Sequence, residues 1–340
     1  MKLRFLLLLF LSLLSLAAAQ IAQAQTPKLK LLSVKKIWDQ GEHNAFTDLI
    51  RFRNRWFCIF REGKAHADGE GKLRVLTSRD GETWESAALI DLPGRDLRDA
   101  KLSIAPGNRL MLVCGAADAT NRNGGEFLSF AGFSTDGKQW SKLARVNGFE
   151  GSVWLWRVVW HKGTAYGAAY SWDDSRRMWA VIVRSRDGVN YEKISRVFAD
   201  MNEAALSFDG KDMLTVVFRS VDRGAEATVV QARAPFTEWT TKTLQPAEWR
   251  NQLGGPAVLR LPDGRLIAGG RLYRDKMTRT GLGWLDAASG KLTDLVVLPS
   301  GGDNSYPGFV WQGGKVWMSY YSSHEGRTSI YLAKLEVAKR

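Results

Sequence analysis

Two cysteines in 340 residues, Cys58 and Cys114, are too few for a disulfide framework or a cysteine-held zinc site. Each lies in an apolar run, Trp56 to Phe60 and Leu110 to Cys114, and reads as a small buried hydrophobe rather than half of a bridge. Only 9 prolines are present, which excludes a proline-rich linker, and 35 acidic against 48 basic residues leave a net charge of +13. The basic residues are dispersed, without the long Lys/Arg run of a nucleic-acid-binding arm. Long apolar runs are missing except at the start. Phe5 to Leu16 follows Lys2 and Arg4 and leads to Ala22-Gln23-Ala24, the pattern of a secretory signal peptide, too short to cross a bilayer comfortably. Residues 1–24 are expected to be removed, leaving 25–340 as one exported domain, periplasmic or secreted, with no membrane span. Export sets nucleic acid aside, so a carbohydrate is the partner that fits the positive charge. No nucleotide-binding glycine loop, metal-ligand cluster or Ser-His-Asp signature stands out, and no cofactor or metal is expected.

What the chain does have is glycine, 33 residues, and a repeated turn. The pattern SxDG followed by an aromatic ring occurs as Ser78-Arg79-Asp80-Gly81 to Trp84, Ser134-Thr135-Asp136-Gly137 to Trp140 and Ser185-Arg186-Asp187-Gly188 to Tyr191. Asp accepts hydrogen bonds from the backbone of its own turn, Gly takes the positive φ, and the ring packs beside it. Weaker copies are Ala234 to Trp239 and Asp286 to Gly290. A motif recurring about every fifty residues signals a repeat architecture rather than two domains. Alternating strand-like runs flank each turn, giving four strands per unit: Ala45 to Phe52, Arg55 to Arg61, Lys72 to Ser78 and Thr83 to Ile90 in the first. Later units open near Arg98, Trp154, Glu203, Gly255 and Ser305, and the last has three strands only. Leu29 to Trp38 is a spare strand that would complete it and remove two open edges. The expected fold is all-β: a six-bladed β-propeller with four-stranded antiparallel blades, its ring closed by an N-terminal strand joining the last blade.

In such a blade the start of the innermost strand and the end of the second strand share one face. The SxDG turns lie on the other, so Asp80, Asp136 and Asp187 are structural. The first face selects His43, Asn44, Asp48, Arg61, Glu62, His66, Asp68, Arg98, Asp99, Trp154, Trp156, Arg157 and Tyr170. It continues with Glu203, Arg219, Arg271, Tyr273, Asp303, Tyr306, His324 and Glu325. Trp154, Trp156 and Tyr170 are either sugar platforms or core packing, and His43 and His324 either orient substrate hydroxyls or tie loops.

A chain of six units with repeated SxDGxxW-type turns resembles the Asp-box (BNR) sialidases and sialidase-like proteins, over essentially the whole mature chain. His43 to Leu49, Phe60 to Gly63, Ser300 to Pro307 and Ser322 to Gly326 look like the bacterial branch labelled exo-α-sialidase. The resemblance implies a Tyr nucleophile activated by Glu, an Asp acid/base and three arginines on a substrate carboxylate. A neutral phenol suits a sugar whose own carboxylate would repel an anionic nucleophile. Carried over, Tyr306 is the nucleophile, Glu203 its base, and Arg219 and Arg271 the clamps, where planar guanidinium forks pair with carboxylate oxygens. The first inner strand reads Ala45-Phe46-Thr47-Asp48 without the family's first arginine, and Arg61 or Arg98 is its candidate substitute. Asp68 lies in the expected first-blade loop for the acid/base, and its neighbours His66 and Glu62 are the alternatives for that role. Arg157, Asp99, Asn44 and the remaining residues of that face are candidate substrate contacts. The expected activity is exo-hydrolysis of a terminal acidic sugar. The alternatives are a lectin-like propeller without turnover, and a glycosidase for a neutral or uronic sugar pairing Glu203 with Asp68 or Asp99.

Overall fold

Twenty-five strands make up the chain in a computed structural model that describes residues 28–337 apart from 68, 70, 121–125, 222–224 and 246. The expected signal peptide and Asp68 lie outside the described residues. A first strand, β1 (Leu29–Trp38), precedes the blades. Blade 1 is β2 (His43–Phe52), β3 (Arg55–Gly63), β4 (Lys72–Ser78) and β5 (Glu85–Ile90); blade 2 is β6 (Arg95–Ala105), β7 (Arg109–Asp118), β8 (Phe127–Ser134) and β9 (Ala144–Arg145). Blade 3 is β10 (Trp154–His161), β11 (Thr164–Trp172), β12 (Met178–Ser185) and β13 (Tyr191–Lys193), with β14 (Phe198–Ala199) also on β12. Blade 4 is β15 (Met201–Phe208), β16 (Leu214–Ser220), β17 (Thr228–Ala232) and β18 (Thr240–Thr243); blade 5 is β19 (Arg250–Arg260), β20 (Leu266–Arg274), β21 (Met277–Asp286) and β22 (Lys291–Val297). Blade 6 is β23 (Asn304–Gln312), β24 (Lys315–Ser322) and β25 (Ser329–Val337), and β1 supplies its fourth strand by antiparallel pairing from Leu29↔Val337 to Trp38↔Ile330.

This is the expected six-bladed propeller, closed by the spare strand. Blade 3 departs from it by carrying the extra β14. The inner strands of blades 2 and 5 begin earlier than their apolar runs suggest, at Arg95 and Arg250, because each continues through an irregular pairing. Burial falls from hub to rim. Trp56 to Arg61 in β3 are all buried because neighbouring blades cover both faces, whereas β18 is exposed throughout. Both cysteines are buried and unpaired, and burial pushes the Cys114 thiol up to about 12.

The SxDG turns weld one blade to the preceding one. In blade 2, Asp136 Oδ1 accepts from the N–H groups of Lys138 (2.8 Å) and Gln139 (2.9 Å), and Ser134 Oγ accepts from Gly137 N–H at 2.8 Å. Gly137 has φ 73°, and a Cβ there would collide with the Phe57 ring of blade 1. Gly81 meets Trp317 of blade 6 and Gly188 meets Met111 of blade 2 in the same way. The Gln139 N–H bond, with Lys138 and Ser134 adding to it and slight burial opposing, holds the Asp136 carboxyl below the ordinary range. A depressed folded-state pKa contributes stability above the unfolded value, about 3.9, and loses it as pH falls toward the folded one. Asp136→Ala is therefore expected to cost about 1 kcal/mol at neutral pH. In urea melts that difference should shrink below about pH 4; a difference constant with pH would mean that the carboxylate is not what the turn uses.

Candidate active site

Five inner strands carry a two-for-one bulge near their start, and that of blade 3 a smaller shift. Phe46-Thr47, Asp99-Ala100, Asn202-Glu203, Gly255-Pro256 and Tyr306-Pro307 each fall between paired residues opposite a single partner; in β10 the shift falls at Trp156. A bulge re-aims side chains that a regular strand would alternate across its faces. Phe46, Asp99, Gly255 and Tyr306 take positive φ values of 63°, 54°, 61° and 33°. For the three non-glycine residues this is strained backbone, of a kind that clusters at functional sites. Gly255 is required by its neighbour, since a Cβ there would run into the Tyr306 ring.

These bulges bring the four carried-over residues together. Tyr306 Oη donates to Glu203 Oε1 at 2.7 Å, Arg219 Nη1 donates to the same oxygen at 2.9 Å, and Gly255 N–H donates to Oε2 at 2.6 Å. Burial alone would raise the Glu203 carboxyl, but Arg219 and the hydrogen bonds from Tyr306 and Gly255 outweigh it and hold it below its ordinary value. Glu203 is thus an anion able to take the phenolic proton. Burial, then the charge of Glu203, keep the Tyr306 phenol well above its ordinary value, against Arg219 and Arg271. The Arg271 guanidinium lies 5.4 Å from the centre of the Tyr306 ring and donates to Asn304 O (2.8 Å), Tyr321 Oη (2.9 Å) and Asp303 Oδ1 (3.2 Å).

Beside them, Asp303 gathers two histidines. Its Oδ2 meets His66 Nδ1 at 2.6 Å and His43 Nε2 at 3.0 Å, while Tyr321 Oη donates to Oδ1 at 3.1 Å. The three donor atoms fall within 4.8 Å of one another, a set that could hold a divalent cation.

Two buried charges face the same hub. Lys101 donates to Thr47 O at 3.1 Å and sits 5.2 Å from the Trp156 ring centre and 5.8 Å from that of Tyr306. Burial and then Arg157 push its ammonium down to about 8. Burial pushes Asp99 up to about 7, against Lys101 and with Glu203 adding to the rise, and its Oδ1 is buried without a partner. Because an unfolded carboxyl titrates near 3.9, the folded chain keeps this proton over a range where the unfolded chain has lost it. That contribution is complete below about pH 4 and is lost as pH rises to about 7. Asp99→Asn is expected to gain thermal stability relative to the wild type between about pH 4 and about pH 7. Parallel melting-temperature profiles would mean that Asp99 is ionised throughout.

The other selected residues have partners elsewhere. Arg61 and Arg98, the candidate third clamps, both bind Asp96: Arg61 Nε at 2.9 Å, Arg98 Nε at 3.0 Å and Nη2 at 2.7 Å. Arg157 pairs with buried Asp48 at 3.0 Å. Glu62 accepts from Arg74 at 2.8 Å and from the Trp38 indole at 3.1 Å. Asn44 Nδ2 ties Gly41 O and Thr328 O, both at 2.9 Å. His324 bonds Ser322 Oγ at 2.9 Å. Tyr273 lies beside Gly254 and acts electrostatically on Arg219 and Arg271. Trp156 is 1% exposed and packs edge-on against Tyr306, and Trp154 stacks on Tyr170; these rings serve the core. Sequence reasoning missed Asp96, Lys101, Phe46 and Tyr321. The rule for the end of a second strand reaches Tyr321 once β24 is extended, and Pro256 and Pro307 inside strand-like runs were the signal for bulges.

The hub belongs to a propeller of the kind that sialidases use. No family model and no curated protein sequence matches the chain. Among solved structures, a Dyadobacter fermentans protein of unknown function superposes with a TM-score of 0.78 at 21% identity, covering 92% of this chain and 100% of that one. A Trypanosoma rangeli sialidase mutant with trans-sialidase activity gives 0.69 at 12% identity, over 90% of this chain and 59% of its own, and a Hadza microbial sialidase gives 0.66 at 14%, over 88% and 66%. The chain spans little more than half the length of the trypanosomal sialidases. At such identities the likeness is one of fold.

Proposed function

We propose that this chain is an exported, sialidase-like exo-glycoside hydrolase for a terminal, acidic sugar, using Tyr306 as nucleophile and Glu203 as its base. The observation that carries the reading is the buried Tyr306 Oη to Glu203 Oε1 hydrogen bond of 2.7 Å, with Arg219 on the same oxygen. Glu203 takes the phenolic proton as Oη attacks the anomeric carbon, the glycosidic C–O bond breaks, and an acid protonates the leaving oxygen. Water, giving one proton back to that acid, then attacks the anomeric carbon and releases the sugar from Tyr306, and Glu203 returns the phenolic proton. Arg219 and Arg271 flank the nucleophile and offer charge to a sugar carboxylate.

One observation favours a second substrate class. Arg219 and Arg271 each already hold a carboxylate of the protein, Glu203 and Asp303, and the bulge of the first inner strand presents Phe46. A pocket whose cations are matched this way has less charge left for a substrate carboxylate and suits a neutral sugar. The test is a panel of 4-methylumbelliferyl glycosides that includes sialic acid, glucuronic acid and neutral hexoses, run on the wild type and Glu203→Gln. Release by the wild type alone supports the hydrolase, and the sugar released decides between the classes. Binding of a sugar with no release by either protein would make the chain a lectin.

A further inference from the structure

One buried charge at the hub takes no part in the proton transfers between Tyr306 and Glu203. Lys101, on the inner strand of blade 2, is 2% exposed, and its ammonium donates to a single acceptor among the described residues, Thr47 O at 3.1 Å. Arg61, Arg157 and Arg219 each meet a carboxylate directly, at 2.9, 3.0 and 2.9 Å. Lys101 instead faces two aromatic rings, its Nζ lying 5.2 Å from the centre of Trp156 and 5.8 Å from that of Tyr306. Burial and then Arg157 push it down to about 8, against Asp48, Asp99 and Glu203, so the side chain is still an ammonium at neutral pH. A buried charge without a partner carboxylate costs stability, and the fold by itself does not account for it. Its place is fixed from both sides. The N–H of the next residue, Leu102, donates to Asp48 Oδ2 at 2.7 Å. Thr47, whose carbonyl takes the ammonium, donates its own hydroxyl to Tyr306 O at 2.8 Å, so one residue of the blade 1 bulge ties Lys101 to the strained Tyr306 backbone. Arg271 is the other cation over the Tyr306 ring, at 5.4 Å, and it is already engaged by Asp303 at 3.2 Å.

Resting on the Tyr306/Glu203 reading, we propose that Lys101 is a positioning residue of the nucleophile: its ammonium, fixed over the Tyr306 ring, stabilises the phenolate character that Tyr306 takes on during the reaction. In the first half Oη bonds to the anomeric carbon, its proton goes to Glu203, the glycosidic C–O bond breaks and the leaving oxygen takes a proton from an acid. In the second half water bonds to the anomeric carbon and gives one proton back to that acid. The carbon–Oη bond breaks with its electron pair returning to Oη, and Glu203 gives the phenol its proton. Negative charge thus passes from Glu203 to the phenol, where the ring shares it. A cation already held over the ring face attracts that charge more strongly than it attracts the neutral phenol, and nothing has to rearrange. Lys101 transfers no proton and, buried as it is, meets no sugar. Its effect is largest in the second half, where Oη leaves as the phenolate.

The experiment replaces the charge with neutral chains, Lys101→Met and Lys101→Gln, and traps Tyr306 as a glycosyl adduct with the fluorinated glycosyl fluoride of whichever sugar the wild type releases. Mass spectrometry of the protein and its peptides follows the adduct as it forms and decays. In both variants decay is expected to slow by about 10- to 30-fold, and kcat on the 4-nitrophenyl glycoside to fall with it. KM should stay unchanged or drop, because the adduct accumulates. Melting temperatures should hold or rise in Lys101→Met, since an unmatched buried charge has been removed. A folded variant whose adduct decays within about threefold of the wild type would overturn the proposal. So would a raised KM at unchanged kcat, which would make Lys101 a substrate contact. Failure of both variants to fold would overturn it as well, because the ammonium would then be a tie that blade 2 requires. The Tyr306/Glu203 reading fails separately, by full activity in Tyr306→Phe or by an adduct on another residue.

Discussion

Glu203→Gln is expected to lower kcat by about 10²- to 10⁴-fold on any glycoside that the wild type cleaves, because the amide cannot take the phenolic proton. The replacement keeps the side chain's length, but it turns an acceptor of three hydrogen bonds into a group that must also donate. Arg219 Nη1, Tyr306 Oη and Gly255 N–H all point donors at the carboxylate, so one pair must clash or separate. Some loss of stability is therefore expected with the loss of rate. Tyr306→Phe separates the two effects: it removes only Oη, keeps the ring against Trp156, Phe46 and Arg271, and should lose turnover with a smaller change in melting temperature. Activity within tenfold of the wild type in Tyr306→Phe would refute a tyrosine nucleophile.

The second large effect concerns stability. Asp96→Ala is expected to cost about 3–5 kcal/mol, the usual result of stripping one partner from a buried ion pair. Asp96 and Arg61 are both fully buried, and Asp96 also holds Arg98 and the N–H groups of Gly71 (3.0 Å) and Gly69 (3.3 Å). Removing the carboxylate takes from the buried Arg61 guanidinium the counter-charge that Asp96 supplies at Nε and releases the chain segment that carries His66. Urea denaturation of the purified variant measures the first effect, and the rate on a cleaved glycoside the second. A cost below about 1 kcal/mol would mean that the other partners of Arg61 hold it when Asp96 is gone.

The architecture was legible because its causes are local. A tight turn demands Asp and Gly whatever surrounds it, and a strand advertises itself by period-two alternation, so Ser134 to Trp140 and the runs beside it can be read without their neighbours. The spare strand Leu29 to Trp38 and the three-stranded last unit fitted together by counting. The blade-face rule carried the reading as far as Glu203, Arg219, Arg271 and Tyr306, since it needs only strand order and strand ends.

The pairing of charges was not legible in this way. Arg61, Arg98 and Arg157 read from the chain as surface cations aimed at a ligand, yet they meet Asp96 and Asp48, and Lys101 is a buried ammonium that no pattern announces. The sequence by itself determined the blades, the turns that join them, the closing strand and the face that bears the site, because each follows from backbone geometry over a few residues. Only the tertiary structure decided which acid each cation meets, how the bulges turn Phe46, Asp99 and Tyr306 into the hub, and that His66 and His43 share one oxygen of Asp303. Those outcomes depend on through-space distances between side chains as far as 260 residues apart, as His43 and Asp303 are, set when the ring closes, and burial in low dielectric makes each such encounter decisive.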